Sequence, residues 1–128
     1  MNLLLVMLGG ALGAGARHLV GRAVLAWLDP VFPVATMAIN IAGGLLMGLL
    51  AGSLVRLGVS GEGWRLFLGV GVLGGFTTFS SFSLETVLLA QRGELASAAF
   101  YVAASVAGSI GALVLGLTLA RRLTGVAA

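Results

Sequence analysis

The chain has 128 residues, of which 59% are hydrophobic and only 9% are charged. A soluble domain of this size cannot bury so much apolar surface, so the composition predicts an integral membrane protein. With no cysteine, disulfides and thiolate metal sites are excluded, and one histidine with four acidic residues argues against a multi-histidine metal site. The net charge of +3 comes from seven scattered arginines, which is typical of residues at membrane edges and gives little support to nucleic-acid binding.

Four apolar segments account for nearly the whole chain. We expect an all-α protein with membrane-spanning helices at about 3–28, 34–55, 66–90 and 95–120, forming one transmembrane domain over 1–128. The first segment lacks the basic residues that begin a secretory signal, so we interpret it as a retained helix. The connections at 29–33, 58–63 and 91–94 are short and carry proline or glycine, which predicts that consecutive spans are antiparallel neighbours.

The first span carries small residues on one face and basic residues near its end. Gly9 and Gly13 are four residues apart and predict close contact with another helix. Arg17 lies about 21 Å from Leu3 along a helix, so it should lie near the far membrane face. There it serves either as a boundary anchor or as part of a pore mouth, and its neighbour His18 is more simply structural than a proton carrier.

The second span carries a lone amide, Asn40, among apolar neighbours. A polar side chain at that depth needs partners, so Asn40 either makes a hydrogen bond between helices or donates to a permeating ion. Gly44, Gly48 and Gly52 follow at intervals of four residues and predict a second face for close helix packing.

The third span contains the most informative stretch, GGFTTFSSFS at residues 74–83. Twenty-five residues of helix at 66–90 would be roughly 37 Å long, which exceeds the ~30 Å apolar core of a bilayer. Two glycines followed by two threonines suit a straight helix poorly, so we predict an interruption in mid-membrane near 74–78, a feature that tends to mark ion sites in transporters. Phe76, Phe79 and Phe82 would then form an aromatic ridge. The alternative is ordinary packing by these rings, with hydroxyls that bond back to their own helix.

The fourth span carries a narrow polar seam. Tyr101, Ser105 and Ser109 are spaced by four residues on a helix that is otherwise Ala, Val, Leu and Gly. The seam either lines a path or consists of serines bonded to carbonyls one turn earlier. Glu85, late in the third span, faces a pore mouth or lies near the membrane edge towards Arg92.

These motifs resemble the fluoride-channel family, Fluc, also called CrcB. GGFTTFSSFS is similar to its signature, roughly GGxTTFSTF, and Ser81 stands where threonine is common. Thr36, Asn40 and Gly43 resemble the family pattern TxxxNxxG, and GAGAR at 13–17 resembles GAxxRY, with His18 in place of tyrosine.

The resemblance implies a homodimer with two pores that exports fluoride passively from the cytoplasm through the plasma membrane of a prokaryote. It implies an anion pathway along the following residues: Asn40, Phe79, Ser81, Phe82, Tyr101, Ser105 and Ser109. It also implies a structural sodium ion between the subunits, held by the backbone carbonyls of Gly74 and Thr77, and it carries over Arg17 near the pore mouth.

The residues themselves favour transport over catalysis. The sequence has no nucleophile–base pair, carboxylate dyad, phosphate loop or metal cluster, and GVGVLG at 69–74 lies within a span with no strand before it. Amide, hydroxyl and phenyl-edge groups suit a small anion, and the choice of fluoride comes from the resemblance. A proton-coupled antiporter of the small multidrug-resistance type needs a buried carboxylate in the first span, which is absent. An accessory membrane subunit is the third alternative.

The arginines predict that subunits insert in both directions. With four spans, both termini and the 58–63 connection share one side, with Arg56, Arg65, Arg121 and Arg122. The other side has Arg17, Arg22 and Arg92. Four against three is almost no bias under the positive-inside rule, so we expect an antiparallel dimer about an axis in the membrane plane.

Overall fold

The computed structural model describes residues 1–28, 31–55 and 61–124, and over these ranges the chain is helical with no strand. Its elements are α1 (Asn2–Trp27), α2 (Val34–Leu54), α3 (Glu62–Trp64), a π-helical segment (Arg65–Leu73), α4 (Gly74–Phe76), α5 (Phe79–Gln91) and α6 (Leu95–Thr124). Four helices are long and apolar enough to cross a membrane: α1, α2, the third span at Glu62–Gln91, and α6. The four predicted spans are therefore confirmed. Asp29, Pro30 and residues 56–60, which include Arg56 and the first part of the second connection, lie outside the described residues.

The third span is a composite helix, interrupted within the predicted stretch. Thr77 and Thr78 are extended, with ψ values of 159° and 119°, and they separate α4 from α5. The hydroxyl oxygen of Thr78 accepts from the backbone N–H of Ser81 at 3.2 Å, so Thr78 is the N-cap of α5. The predicted ridge of three phenylalanines is wrong for Phe76, because Phe76 lies before the interruption and helical spacing does not continue across it.

The most extensive contacts join spans that are not consecutive in the chain. The first span packs against the π-helical segment and α4, and α2 packs against α6. Glycine makes these approaches possible: a methyl group at Gly9 would overlap the carbonyl of Phe67, and one at Gly48 would overlap the carbonyl of Leu113. The glycine faces were therefore predicted correctly. Consecutive spans also contact one another, as expected, and the glycine faces add more extensive contacts between the first and third spans and between the second and fourth.

The turn between α5 and α6 is formed by a glycine in the left-handed region. Gly93 has a φ of 80°, and the N–H of Glu94 donates to the carbonyl of Leu89 at 3.0 Å. This is a Schellman turn, which satisfies carbonyls at the end of α5. It sends α6 back along α5.

The buried core is small and lies where α5 meets α6. Phe82, Leu89, Ala98 and Tyr101 are buried there, and Phe32 packs on them with its ring nearly perpendicular to that of Tyr101. Many large apolar side chains elsewhere are exposed, as expected for a chain surrounded by lipid, whereas Ile39 and Leu73 are buried. The core therefore positions the two aromatic side chains, Phe82 and Tyr101, that lie beside the candidate site.

Candidate anion pathway

An open groove of about 370 Å³ lies between α2, the interruption and α6. We call it the groove. None of the described residues that line it is charged. They come from α2, the interruption, α5 and α6: Asn40, Gly43, Gly44, Met47, Thr77, Thr78, Phe79, Phe82, Ser105, Val106, Ser109, Ile110 and Leu113. Since the glycines of α2 bring α6 close, the polar atoms of Asn40, Ser105 and Ser109 share one narrow space.

Two neutral side chains in the groove can donate a hydrogen bond to a ligand. Ser105 is 4% exposed, and its hydroxyl has no partner within the described structure. The amide of Asn40 donates one N–H to the carbonyl of Thr78 at 3.0 Å, and a primary amide has a second N–H. A buried hydroxyl without a partner is unfavourable unless a ligand or water satisfies it. The groove is therefore suited to a species that accepts hydrogen bonds.

Aromatic rings form one wall of the groove. The centroids of Phe79 and Phe82 are 5.5 Å apart, and that of Tyr101 is 5.3 Å from Phe82. The ring of Phe79 is 78% exposed, whereas Phe82 is 9% exposed. Phenyl edges carry partial positive charge, so these rings can receive an anion weakly from the side.

A second cavity, of about 670 Å³, lies at one end of the helices between α1, α2 and α5. We call it the arginine mouth, after Arg17, Arg22 and Arg92, which line it together with His18 and Glu85. The Nε atom of Arg17 is buried and has no partner among the described residues. Among the described lining residues, three guanidinium groups against one carboxylate give an excess of positive charge, which attracts anions.

A hydrogen-bonded cluster lies between the two cavities. The carboxylate of Glu85 accepts from the hydroxyl of Thr36 at 2.8 Å and from the hydroxyl of Tyr101 at 2.6 Å. Tyr101 is fully buried. The cluster therefore links α5 to both α2 and α6, and the carboxylate that could repel an anion is held by two donors.

The interruption of the third span leaves backbone carbonyls at Gly74 and Thr77 without the usual helical donors. The N–H of Thr78 donates to the side chain of Asn40 at 2.9 Å, so it is not available to the carbonyl of Gly74 four residues earlier. Gly74 is exposed, and Thr77 is extended. Backbone carbonyls are oxygen ligands suited to a hard cation, so the residues here fit the sodium ion that the family resemblance implies.

The structure brings together only part of the predicted site. Asn40, Phe79, Phe82, Ser105 and Ser109 line the groove. Ser81, Glu85 and Arg17 line the arginine mouth instead, and Tyr101 is buried between the two cavities. The proposal that serines bond back to their helix holds for Ser83, whose hydroxyl donates to the carbonyl of Phe79 at 2.9 Å, and not for Ser105.

Sequence reasoning missed two roles, those of Thr36 and Thr78. Thr36 lies one helical turn before Asn40, so the spacing already placed both on one face of α2. Thr78 is followed three residues later by Ser81 at a predicted interruption, where a threonine N-cap is favoured. Thr78 lines both cavities, so it marks their boundary.

Comparison with known proteins identifies close relatives over nearly the whole chain. Residues 4–117 match the family described as CrcB-like protein, Camphor Resistance (CrcB). A protein of Sphingopyxis alaskensis named fluoride-specific ion channel FluC is 58% identical over 118 residues, which cover 92% of this chain and 94% of that protein. Proteins of the same name from Phenylobacterium zucineum and Novosphingobium aromaticivorans are each 56% identical, over 94% and 91% of this chain and 96% and 93% of their own lengths.

Proposed function

The chain belongs to the CrcB family, and from this membership we propose that it is a fluoride-specific ion channel that lets fluoride leave the cytoplasm passively. By this route it confers resistance to fluoride. It is a transport protein rather than an enzyme, and a multi-pass protein of the prokaryotic plasma membrane.

The observation that best supports the proposal is the unpartnered hydroxyl of Ser105 opposite Asn40 in an uncharged groove. A conducted ion must bind well enough to enter and weakly enough to leave. Neutral donors and phenyl edges meet both needs for a small anion, because they replace part of its hydration without the strong attraction of a fixed cation. The pathway we propose runs from the arginine mouth, past Ser81 and Tyr101, into the groove.

We propose that the functional unit is an antiparallel homodimer. The ring of Phe79 is 78% exposed and forms one wall of a groove that is open on its side. A second subunit related by a two-fold axis in the membrane plane could close that side, and it would repeat the pathway in the opposite direction. The near balance of arginines between the two ends supports this arrangement.

We also propose a sodium ion at the interface between subunits, held by the carbonyls of Gly74 and Thr77. Its chemistry would be structural, since a hard cation can satisfy carbonyls that an interrupted helix leaves without donors. Assembly in a bulky organic cation instead of sodium should weaken the dimer or its flux. Equal dimer stability and equal flux in the two cations would contradict the proposed sodium site.

The function is tested by fluoride efflux from liposomes that contain the purified protein, loaded with potassium fluoride and measured with a fluoride electrode. Efflux should begin only when a potassium ionophore relieves the charge imbalance, because a channel moves charge. Efflux that needs a proton gradient and no ionophore would favour an antiporter. No efflux from folded protein would leave only the accessory-subunit alternative.

A further inference from the structure

The two extended residues of the third span create a local problem of hydrogen bonding. In a continuous helix each N–H donates to the carbonyl four residues earlier, and the extended backbone of Thr78 points its N–H and its C=O sideways out of the helix. The third span crosses the apolar core of the membrane, where backbone groups without partners are strongly unfavourable. Some other part of the protein must satisfy them.

One side chain satisfies both groups. The amide oxygen of Asn40 accepts from the N–H of Thr78 at 2.9 Å, and the amide nitrogen donates to the carbonyl of Thr78 at 3.0 Å. The N–H and C=O of an extended residue point to the same side, and a carboxamide presents a donor and an acceptor side by side. Asparagine therefore pairs with Thr78 much as a strand residue pairs with its neighbour, a match that neither leucine nor aspartate can make in full.

The paired residue also begins the next helix. The hydroxyl of Thr78 caps α5 through the N–H of Ser81, and Phe79 is the first residue of that helix. A displacement of Thr78 would move the start of α5, and with it the rings of Phe79 and Phe82. The second N–H of the Asn40 amide is left for the groove.

We propose that Asn40 is a positioning residue of the pathway: its amide clamps the backbone of Thr78 and thereby sets where the phenyl edges of α5 face the groove. The clamp acts in addition to the direct donation to the anion, and its effect on conduction rests on the proposed function. The Asn40 side chain thus makes two kinds of interaction: it pairs with the backbone of Thr78, and it donates a hydrogen bond to the anion.

The test compares Asn40→Leu, which keeps the approximate size and loses both hydrogen bonds, with Ser105→Ala. The control removes a hydroxyl from the groove without touching Thr78. Amide hydrogen exchange at Thr78 and Ser81 is measured in fluoride-free protein labelled with ¹⁵N at threonine and serine. We expect the rate of amide exchange at Thr78 to rise about tenfold in Asn40→Leu, because the N–H of Thr78 loses its hydrogen bond and the net contribution of one such bond corresponds to that factor. The rate should stay unchanged in Ser105→Ala.

Fluoride flux per folded protein completes the test. We expect Asn40→Leu to lose flux together with protection at Thr78, and Ser105→Ala to lose flux alone. Unchanged exchange in Asn40→Leu would overturn the clamp, and raised exchange with normal flux would overturn its role in positioning. If Asn40→Leu does not fold, the natural protein and Asn40→Ala decide. Thr78 should be protected in the natural protein and less so in Asn40→Ala, which has no acceptor for the N–H of Thr78. Free exchange at Thr78 in the natural protein would refute the clamp.

The same experiment separates this inference from the proposed function. Exchange at Thr78 does not depend on conduction, so a protected amide that Asn40→Leu releases supports the clamp whatever ion is carried. Absence of fluoride flux in the natural protein would instead refute the function.

Discussion

The arginine mouth and the groove are neighbouring cavities that meet at Thr78 and differ in charge. The mouth holds three arginines, whose positive charge raises the local concentration of anions. The residues described in the groove are uncharged, and they offer the amide of Asn40, two serine hydroxyls and phenyl edges. Charge placed at an entrance gathers ions without trapping them, whereas charge placed inside a narrow path would bind the ion too tightly or repel it.

The boundary between the cavities explains how a carboxylate can lie near an anion path. Glu85 lines the mouth, and each of its oxygens accepts from a hydroxyl, one on Thr36 and one on Tyr101. These bonds hold the negative charge in place against α2 and α6. The different roles of the two cavities can be tested by variants. One variant places a charge in the groove, and others remove a phenyl ring from the groove or an arginine from the mouth.

The largest effect should follow from a negative charge in the groove. Asn40→Asp should lower fluoride flux by at least about a hundredfold, because the carboxylate repels the anion and lacks the amide donors. Liposome efflux measures the change, with gel filtration to confirm that the protein is folded. Normal conduction by a folded Asn40→Asp protein would reduce Asn40 to a contact between helices.

Removal of a phenyl edge should have the next largest effect. Phe79→Ile keeps apolar bulk and should lower flux about tenfold through the loss of the positive ring edge. Phe82→Ile should also lower flux, and Phe79 gives the cleaner result because Phe82 is part of the buried core. Phe67→Ile and Phe100→Ile are the matched controls, and an equal loss of flux in the controls would remove any special role for these rings.

Loss of charge at the mouth should have a moderate effect that depends on salt. Arg17→Gln should lower flux about threefold at low ionic strength and less at high ionic strength, where charges are screened. Arg65→Gln serves as the control, since Arg65 lies outside both cavities and pairs with Glu62 at 2.8 Å. A salt-independent loss, or an equal loss in the control, would show that Arg17 is a boundary anchor only.

The smallest effect expected is a factor of two in labelling. Each subunit has an arginine mouth at one end, so an antiparallel dimer would give both membrane faces a mouth. With no natural cysteine, Leu123→Cys, at an 85% exposed position, can be labelled in intact cells by an impermeant thiol reagent. Roughly half of the protein should react, given the small arginine bias. Labelling of nearly all or nearly none in active protein would contradict dual insertion.

Features of the fold that depend on local pattern could be predicted from the sequence. The four spans followed from hydropathy, and the interruption at Thr77 and Thr78 followed from glycine and threonine in too long an apolar run. Gly9 and Gly48 were expected at close helix contacts, and they are. These signals are carried by neighbouring residues, so no tertiary information is needed to find them.

Features that depend on distant contacts could not be predicted. The partner of Asn40 is Thr78, 38 residues away, and Glu85 joins Thr36 across 49 residues. Their pairing depends on which helices pack together, and hydropathy does not specify this for four similar spans. The π-helical turns at Arg65–Leu73 were not predicted from the sequence either. The division of the predicted site into two cavities follows from these same contacts.

The central claim is that the uncharged groove conducts fluoride as an ion and rejects a larger halide. The most direct measurement is the reversal potential of the natural protein in a planar bilayer, with fluoride on one side and chloride on the other, at fixed pH. We predict a current carried by fluoride, with a reversal potential that follows the fluoride gradient and does not move when chloride or pH is changed. A reversal potential that follows chloride or the proton gradient would contradict the account.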